Sequence, residues 1–475
     1  MFSFVVYYRN RNTSLLRKIR TLMDCTKSIS VINFKPSNGV LERLVEKIFF
    51  RQLIVRYFIT NEYSNSNSNK TCELFSLLTC SKYIGTKMKG SFLQHSVIPS
   101  CIAVKLTDCL QFIKCIKVKG NTSDDIKLFH MFPNLKKIQF ENFSEDELID
   151  KYKLPESINE ITFDGIFDQI LKPGMFPKST TKLLFSSNCV FNQPLKANLF
   201  PPNLTKLCIR YTFNKPLIKD VLPITLTSLH LGHFNYPLNT GVLPPNLLTL
   251  KFDDWSNFDQ PLEIGVLPLS LTKLLLSNRF NKKLDVGVLP SSLTELRLSN
   301  HFNQHLKKGV LQSNLQKLYF GNMFDKTLEI GVLSSNLTIL TFGNAFNQTL
   351  NIGVLPAKLI KLNFSWYSVF NQPIKMGVFP QSLTHLSFGP NFNQPLELGI
   401  FPSNLTKLYF GRSFNQPINV GVLPLGLKKL IFGHNFNQPI YEDVLPSSLT
   451  YLLFPELFKY PIDKIKLPNL IPYAP

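Results

Sequence analysis

The sequence predicts a repeat protein: a solenoid of short coils sharing one long parallel β-sheet, mainly β with an irregular back face, preceded by a small, mainly helical N-terminal region. Three observations predict it. First, Phe opens a recurring motif at 167, 191, 213, 234, 258, 280, 302, 324, 346, 370, 392, 414, 436 and 458, and nine of the thirteen intervals are 22 residues. A fixed period in the twenties means a stack of like coils, none able to bury its apolar face alone. Second, an apolar-x-x-apolar-x-apolar signature keeps the same period, its last members running from Val118, Phe140 and Phe163 to Phe454, sixteen strands in all. Third, Gly and Pro recur where the back of each coil must turn, as in Gly421-Val422-Leu423-Pro424.

Each element of the coil has a physical reason. In Leu405-Thr406-Lys407-Leu408-Tyr409-Phe410, alternation turns Leu408 and Phe410 inward and Lys407 and Tyr409 outward. Stacked at about 4.8 Å per strand, sixteen such strands extend roughly 75 Å. After the strand, Gly or Asn turns the chain, the motif Phe fills the interior, and Asn or Asp follows, as at Asn192, Asn214, Asp259, Asn347 and Asn437. The short oxygen-bearing arm at this position suits a buried ladder that caps turn N–H groups coil after coil.

Ahead of the repeats the chain differs. Residues 1–60 form a basic, partly helical region, because Leu41, Leu44, Val45, Ile48 and Phe49 fall at helical spacing within 40–60. Residues 61–70, rich in Asn and Ser, read as a linker, and 71–110 as an N-terminal cap. The repeats span 111–462, expected to wind right-handed, and 463–475 is a Pro-rich tail.

Net charge is +21, of which +13 lies in the first 120 residues. Such a balance favours acidic partners, nucleic acid or anionic lipid as encounter surfaces without selecting one. Residues 1–23 hold Arg9, Arg11, Arg17, Lys18 and Arg20 and no acid; a mitochondrial presequence, a flexible basic arm and an extension upstream of Met23 all fit. No apolar run reaches the roughly 18–20 residues of a membrane-spanning helix. Six of the eight Cys precede residue 116 without a CxxC pair, as expected of reduced, buried thiols in a cytoplasmic or nuclear protein.

The motif FNQPI/L followed by GVLPxSLTxLxFG resembles that of FNIP-repeat proteins, a large group in social amoebae and giant viruses, and it covers roughly 167–462. Its LTxLxF core is similar to the strand of leucine-rich repeats. The resemblance implies a curved solenoid used for binding and brings no catalytic residues. Some family members carry an F-box ahead of the repeats. Residues 40–60 are the candidate for such a segment here, but they depart from the F-box pattern in lacking the usual leading Leu-Pro.

Two candidate sites follow. Three coils carry two extra residues between strand and Phe motif, at Ser186 to Val190, Asp253 to Asn257 and Ser365 to Val369. Both tryptophans, Trp255 and Trp366, lie in these enlarged turns, with Asp253 and Asp254 beside the first and Tyr367 beside the second. An aromatic on a bulging turn is a candidate contact residue; the competing reading folds each Trp back over its own coil. The other candidate is the outward strand position held by Lys137, Lys182, Lys206, Lys273, Lys317, Lys361, Lys407 and Lys429, with Tyr319 and Tyr409 two residues further along. This basic stripe suits a phosphate-bearing or acidic ligand. Glu160, Glu295, Ile339 and Tyr451 interrupt it, and lysines on an exposed sheet also serve solubility.

Enzyme signatures are missing. The pairs His230/His233 and His301/His305 straddle a strand end and a turn, with no HExxH helix, and neither a phosphate-binding GxxxxGK nor a GxSxG elbow occurs. No catalytic residue, metal or cofactor is expected. The expected function is a non-enzymatic scaffold binding a protein through the sheet face and the Trp-bearing rim. Two alternatives stand beside it: an F-box-like substrate receptor bound to an SCF-type adaptor, and a binder of nucleic acid or anionic lipid.

Overall fold

The computed structural model describes residues 4–7, 114–119, 133–141, 154–461 and 468–469. The helix expected over 40–60, the linker at 61–70, the cap at 71–110 and nearly all of the tail lie outside the described residues. The chain forms two compact units, residues 1–190 and 191–475.

In the first unit, β2 (Cys115–Lys119), β3 (Lys137–Glu141), β4 (Glu160–Asp164) and β5 (Lys182–Phe185) pair in parallel, with Ile116, Ile138, Ile161 and Leu183 in one column. An isolated strand, β1 (Phe4–Tyr7), pairs antiparallel with β2, Phe4 opposite Val118. It covers the edge that β2 would otherwise leave open.

The second unit holds twelve parallel strands. They are β6 (Lys206–Ile209), β7 (Ser228–Leu231), β8 (Thr249–Phe252), β9 (Lys273–Leu275), β10 (Glu295–Arg297), β11 (Lys317–Tyr319), β12 (Ile339–Phe342), β13 (Lys361–Phe364), β14 (His385–Ser387), β15 (Lys407–Tyr409), β16 (Lys429–Ile431) and β17 (Tyr451–Leu453). Pairing is in register: Leu386, Leu408 and Leu430 stand in one column and are fully buried. All sixteen strands expected from the sequence are present as β2 to β17.

The core is a double column of Phe. Where a strand ends in Phe, the motif Phe of that coil stacks on it, 3.8 Å between centroids for Phe342 and Phe346 and 3.9 Å for Phe410 and Phe414; Phe213, Phe234, Phe280 and Phe302 follow strands that end in Ile or Leu instead. Between coils, strand-end rings such as Phe320 and Phe342 are 5.4 Å apart and motif rings such as Phe324 and Phe346 are 6.1 Å apart. Parallel strands sit about 4.8 Å apart. The sheet is therefore the tightly spaced side of this unit, and the coils splay away from it.

The Asn position forms a relay rather than a local cap. The N–H of Asn214 donates to Asn192 Oδ1 at 2.8 Å, that of Asn235 to Asn214 Oδ1 at 3.0 Å, and so on to Lys459 and Asn437 at 3.0 Å. The acceptor thus serves the next coil, not its own turn. The relay is half-buried to exposed rather than fully buried, and where the motif carries Gln that side chain covers it in part from outside. Gln348 Nε2 donates to Asp325 Oδ1 at 2.9 Å and Gln416 to Asn393 at 3.1 Å, which explains why Gln follows Asn. On the back, Gly287 holds φ 90°, and Ile264 of the preceding coil lies 3.6 Å from where its Cβ would be. At that distance a Cβ would make only an ordinary van der Waals contact, so it is the left-handed backbone that calls for Gly.

Candidate functional site

The two extra residues of each enlarged coil close a hydrogen-bonded turn that pushes its two central residues outward. Ser256 N–H donates to the Asp253 carbonyl at 2.8 Å, Ser368 to Ser365 at 3.1 Å and Cys189 to Ser186 at 3.2 Å. The central pairs are Asp254/Trp255, Trp366/Tyr367 and Ser187/Asn188. The last residue of each turn is fully buried, whereas Trp255 is 78%, Trp366 91% and Tyr367 78% exposed. The indoles do not fold back over their coils.

Both aromatic turns are fixed from below. Ser365 Oγ donates to Asn344 Oδ1 at 2.5 Å, Val369 N–H to the Asn344 carbonyl at 2.8 Å, and Phe370 N–H to Ser368 Oγ at 3.2 Å. At the other turn, Asp253 is buried although its neighbour Asp254 is exposed. Its carboxylate accepts two hydrogen bonds from Arg210, both 3.1 Å, and one from His230 Nε2 at 2.6 Å. Asp253 thus anchors the turn, while Asp254 stays available beside Trp255.

Burial alone would raise the Asp253 carboxyl, but the hydrogen bonds and charges of His230 and Arg210 outweigh it and pull it from 3.8 to about 2. A depressed carboxyl stabilises the fold above its unfolded value and loses that contribution as pH falls through the folded one. The turn is accordingly expected to open between about pH 3.8 and 2. Amide exchange at Ser256 followed over that range tests this. Asp253→Asn should remove the transition and expose the amide at neutral pH already.

The chain of contacts extends to a thiol. Cys208 Sγ lies 3.2 Å from His230 Nδ1. In the tautomer whose Nε2–H donates to Asp253, Nδ1 is the acceptor that faces the S–H. Such a Cys-His-Asp order is one that nucleophilic enzymes use. Here, however, burial above all raises the thiol to about 11, with Asp253 adding to the rise and Arg210, Lys206 and Lys251 only partly offsetting it. The arrangement holds a protonated thiol, not a thiolate. Iodoacetamide at mildly alkaline pH should therefore spare Cys208 in the folded protein and alkylate it once unfolded, as read by mass spectrometry. This cluster was visible in the sequence only as a column: Cys208 and His230 are 22 residues apart, one repeat.

The lysine stripe divides. In the first unit, Glu160 stands between Lys137 and Lys182 at 2.9 and 3.6 Å. In the second, Glu295 pairs with Lys273 at 3.1 Å and with Arg297 at 3.4 Å. Lys206 and Lys361 are exposed and Lys317, Lys407 and Lys429 half-buried. The tyrosines are not open platforms. Arg297 lies 4.3 Å over Tyr319, and Lys429 lies 5.6 Å from Tyr409 and 4.2 Å from Tyr451. Trp366 and Tyr367 follow β13 after Ser365, so this aromatic turn shares its coil with Lys361; Trp255 stands five coils away. Among the described residues no group of three or more His, Cys, Asp or Glu is arranged to hold a metal ion, and no helix is long and apolar enough to cross a membrane.

A family model for the FNIP Repeat matches residues 146–188, 191–233, 213–254, 234–279, 258–301, 280–323, 302–333, 324–366, 370–413, 414–457 and 436–471. Among solved structures, the chain is similar to CroV588, a giant-virus protein described as a novel circular LRR structure, at 38% identity and TM-score 0.67. That match covers 73% of this chain and 50% of the other, so the chain spans about half the length of CroV588. Drosophila Toll, solved in complex with Spatzle, matches at 14% identity and TM-score 0.47 over 74% of this chain and 52% of that one. An internalin from Listeria monocytogenes matches at 15% and TM-score 0.37 over 65% and 88%. None of the curated proteins compared with the chain matches it. Repeat copies from 146 to 471, together with LRR-like coils shared with CroV588, establish that the chain belongs to the FNIP-repeat family.

Proposed function

We propose that the chain is a non-enzymatic scaffold that recognises a protein partner through its sheet face and its two aromatic turns. The observation that carries this reading is the pair Trp366 and Tyr367, 91% and 78% exposed at the apex of a turn whose base is hydrogen-bonded and buried. Large aromatic surface held rigidly in water is costly to keep and gains most when a partner covers it. The LRR-like solenoid, a fold typical of interaction scaffolds, supports the same reading. Cys208 is a buried thiol with no disulfide, which fits a reducing compartment such as the cytoplasm.

The test is recovery of partners from cells of the native source with wild type, with Trp255→Ala plus Trp366→Ala, and with residues 1–100 deleted. Loss of the main partner in the folded double variant, on the order of 2 kcal/mol or more in affinity, is the expected result. If only the deletion loses partners, recognition lies in the N-terminal region and the proposal fails.

A further inference from the structure

The sheet face is not uniformly neutralised. The acids that interrupt the stripe, Glu160 and Glu295, each serve two cations nearby. From β12 to β17 no strand residue is acidic. Parallel pairing sets Lys361, His385, Lys407 and Lys429 side by side on four consecutive strands. Strand spacing places neighbouring backbones about 4.8 Å apart, and like charges opposite one another destabilise a sheet. Among the described residues none of these three lysines has an ion-pair partner, and Arg412 and Lys428 add exposed cations next to them. His385 registers the field: its imidazole is held below the usual range by burial first and then by Lys407 and Lys361.

We propose that the face of β13 to β16 is a docking site for an acidic segment of a protein partner, a run of Asp and Glu carboxylates laid across the four strands. The proposal rests on the scaffold reading and names the chemistry of its partner. Carboxylates would relieve a repulsion that no described acid on these strands offsets and that only the ring contacts of Lys429 soften. A single-stranded nucleic acid fits less well, since it needs open aromatic faces in a row. Here Lys429 already covers Tyr409 and Tyr451. The open aromatics, Trp366 and Tyr367, sit together on the turn after β13, the first of the four strands, where they suit one apolar anchor residue.

Proton linkage gives the site a signature. His385 faces Lys361 on β13, Lys407 on β15 and the Thr384 hydroxyl, 2.7 Å from Nδ1. A bound carboxylate offsets the two lysines and favours the imidazolium, so binding takes up a proton and tightens as pH falls from neutral toward about 6.

The experiment is fluorescence anisotropy of the full chain with a labelled peptide of alternating Glu and Ser. A Lys/Ser peptide of equal length, a single-stranded oligothymidylate, and vesicles of phosphatidylcholine with phosphatidylserine form the comparison arms. The Glu/Ser peptide alone should bind, more weakly at high salt. Lys407→Gln with Lys429→Gln should weaken it about tenfold. Lys137→Gln with Lys182→Gln, a pair already served by Glu160, should leave it unchanged, and His385→Gln should abolish the pH dependence. Equal effects of the two lysine pairs would overturn the proposal, as would oligothymidylate or vesicle binding that requires Lys407 and Lys429 while the Glu/Ser peptide fails to bind. Because the tryptophan experiment reads the native partner, failure here with success there removes the acidic segment and keeps the scaffold.

Discussion

Phe346→Ala is expected to destabilise the second unit by about 3–5 kcal/mol. Phe346 is fully buried, 3.8 Å from Phe342 within its coil and 6.1 and 6.0 Å from Phe324 and Phe370 in the coils on either side. Removing the ring takes a partner from three others at once, and neighbouring coils cannot collapse into the gap while their strands stay in register. Stability in a solenoid is a sum of coil and nearest-neighbour contributions, so the loss should concentrate around the cavity. Hydrogen exchange should show protection falling most across the coils of Phe324, Phe346 and Phe370. Phe458→Ala, at a half-exposed ring in the last coil, should cost clearly less. Equal losses at the two positions would mean that the Phe column is not the principal core.

Gly411→Ala should cost about 3 kcal/mol or more, at or beyond the upper end for overpacking. A Cβ there would stand 1.8 Å from the Gly389 carbonyl oxygen, 2.4 Å from its carbon and 2.7 Å from Pro390 Cα. All three are backbone atoms, so no rotamer change relieves the clash, and β14 and β15 must separate. Gly241→Ala is the informative comparison. That residue has φ 82° and nothing within 4 Å of its Cβ position, so its cost should be the left-handed backbone alone, about 1–2 kcal/mol. Thermal midpoints of the two variants measure the difference directly, and a smaller shift for Gly411→Ala than for Gly241→Ala would contradict the packing argument.

What the sequence makes legible depends on whether the partner lies at the repeat distance. The Leu column of β14 to β16 and the Phe columns are legible because alternation sets the face and the 22-residue period sets the neighbour. The Asn position is legible as an acceptor, but its donor belongs to the next coil, which only the stacking register reveals. Asp253 looks like a surface residue in a turn. Its buried state comes from Arg210, 43 residues earlier and two coils away, a pairing that no single-coil pattern contains. β1 follows no period at all: four residues meet a strand more than a hundred positions later. The exposure of Trp255 and Trp366 was an open choice in the sequence; the hydrogen-bonded turns hold both at their central, outward positions.

The Asn relay has a consequence for how such a chain changes its length. Each coil hands the following one the same acceptor that it receives from the one before, as Asn371 does for Asn393 and Asn393 for Asn415. A deletion or duplication that begins and ends at equivalent positions therefore joins two surfaces that already fit. Unequal exchange between repeats in the gene can shorten or extend the protein by whole coils without any new residue having to arise at the seam.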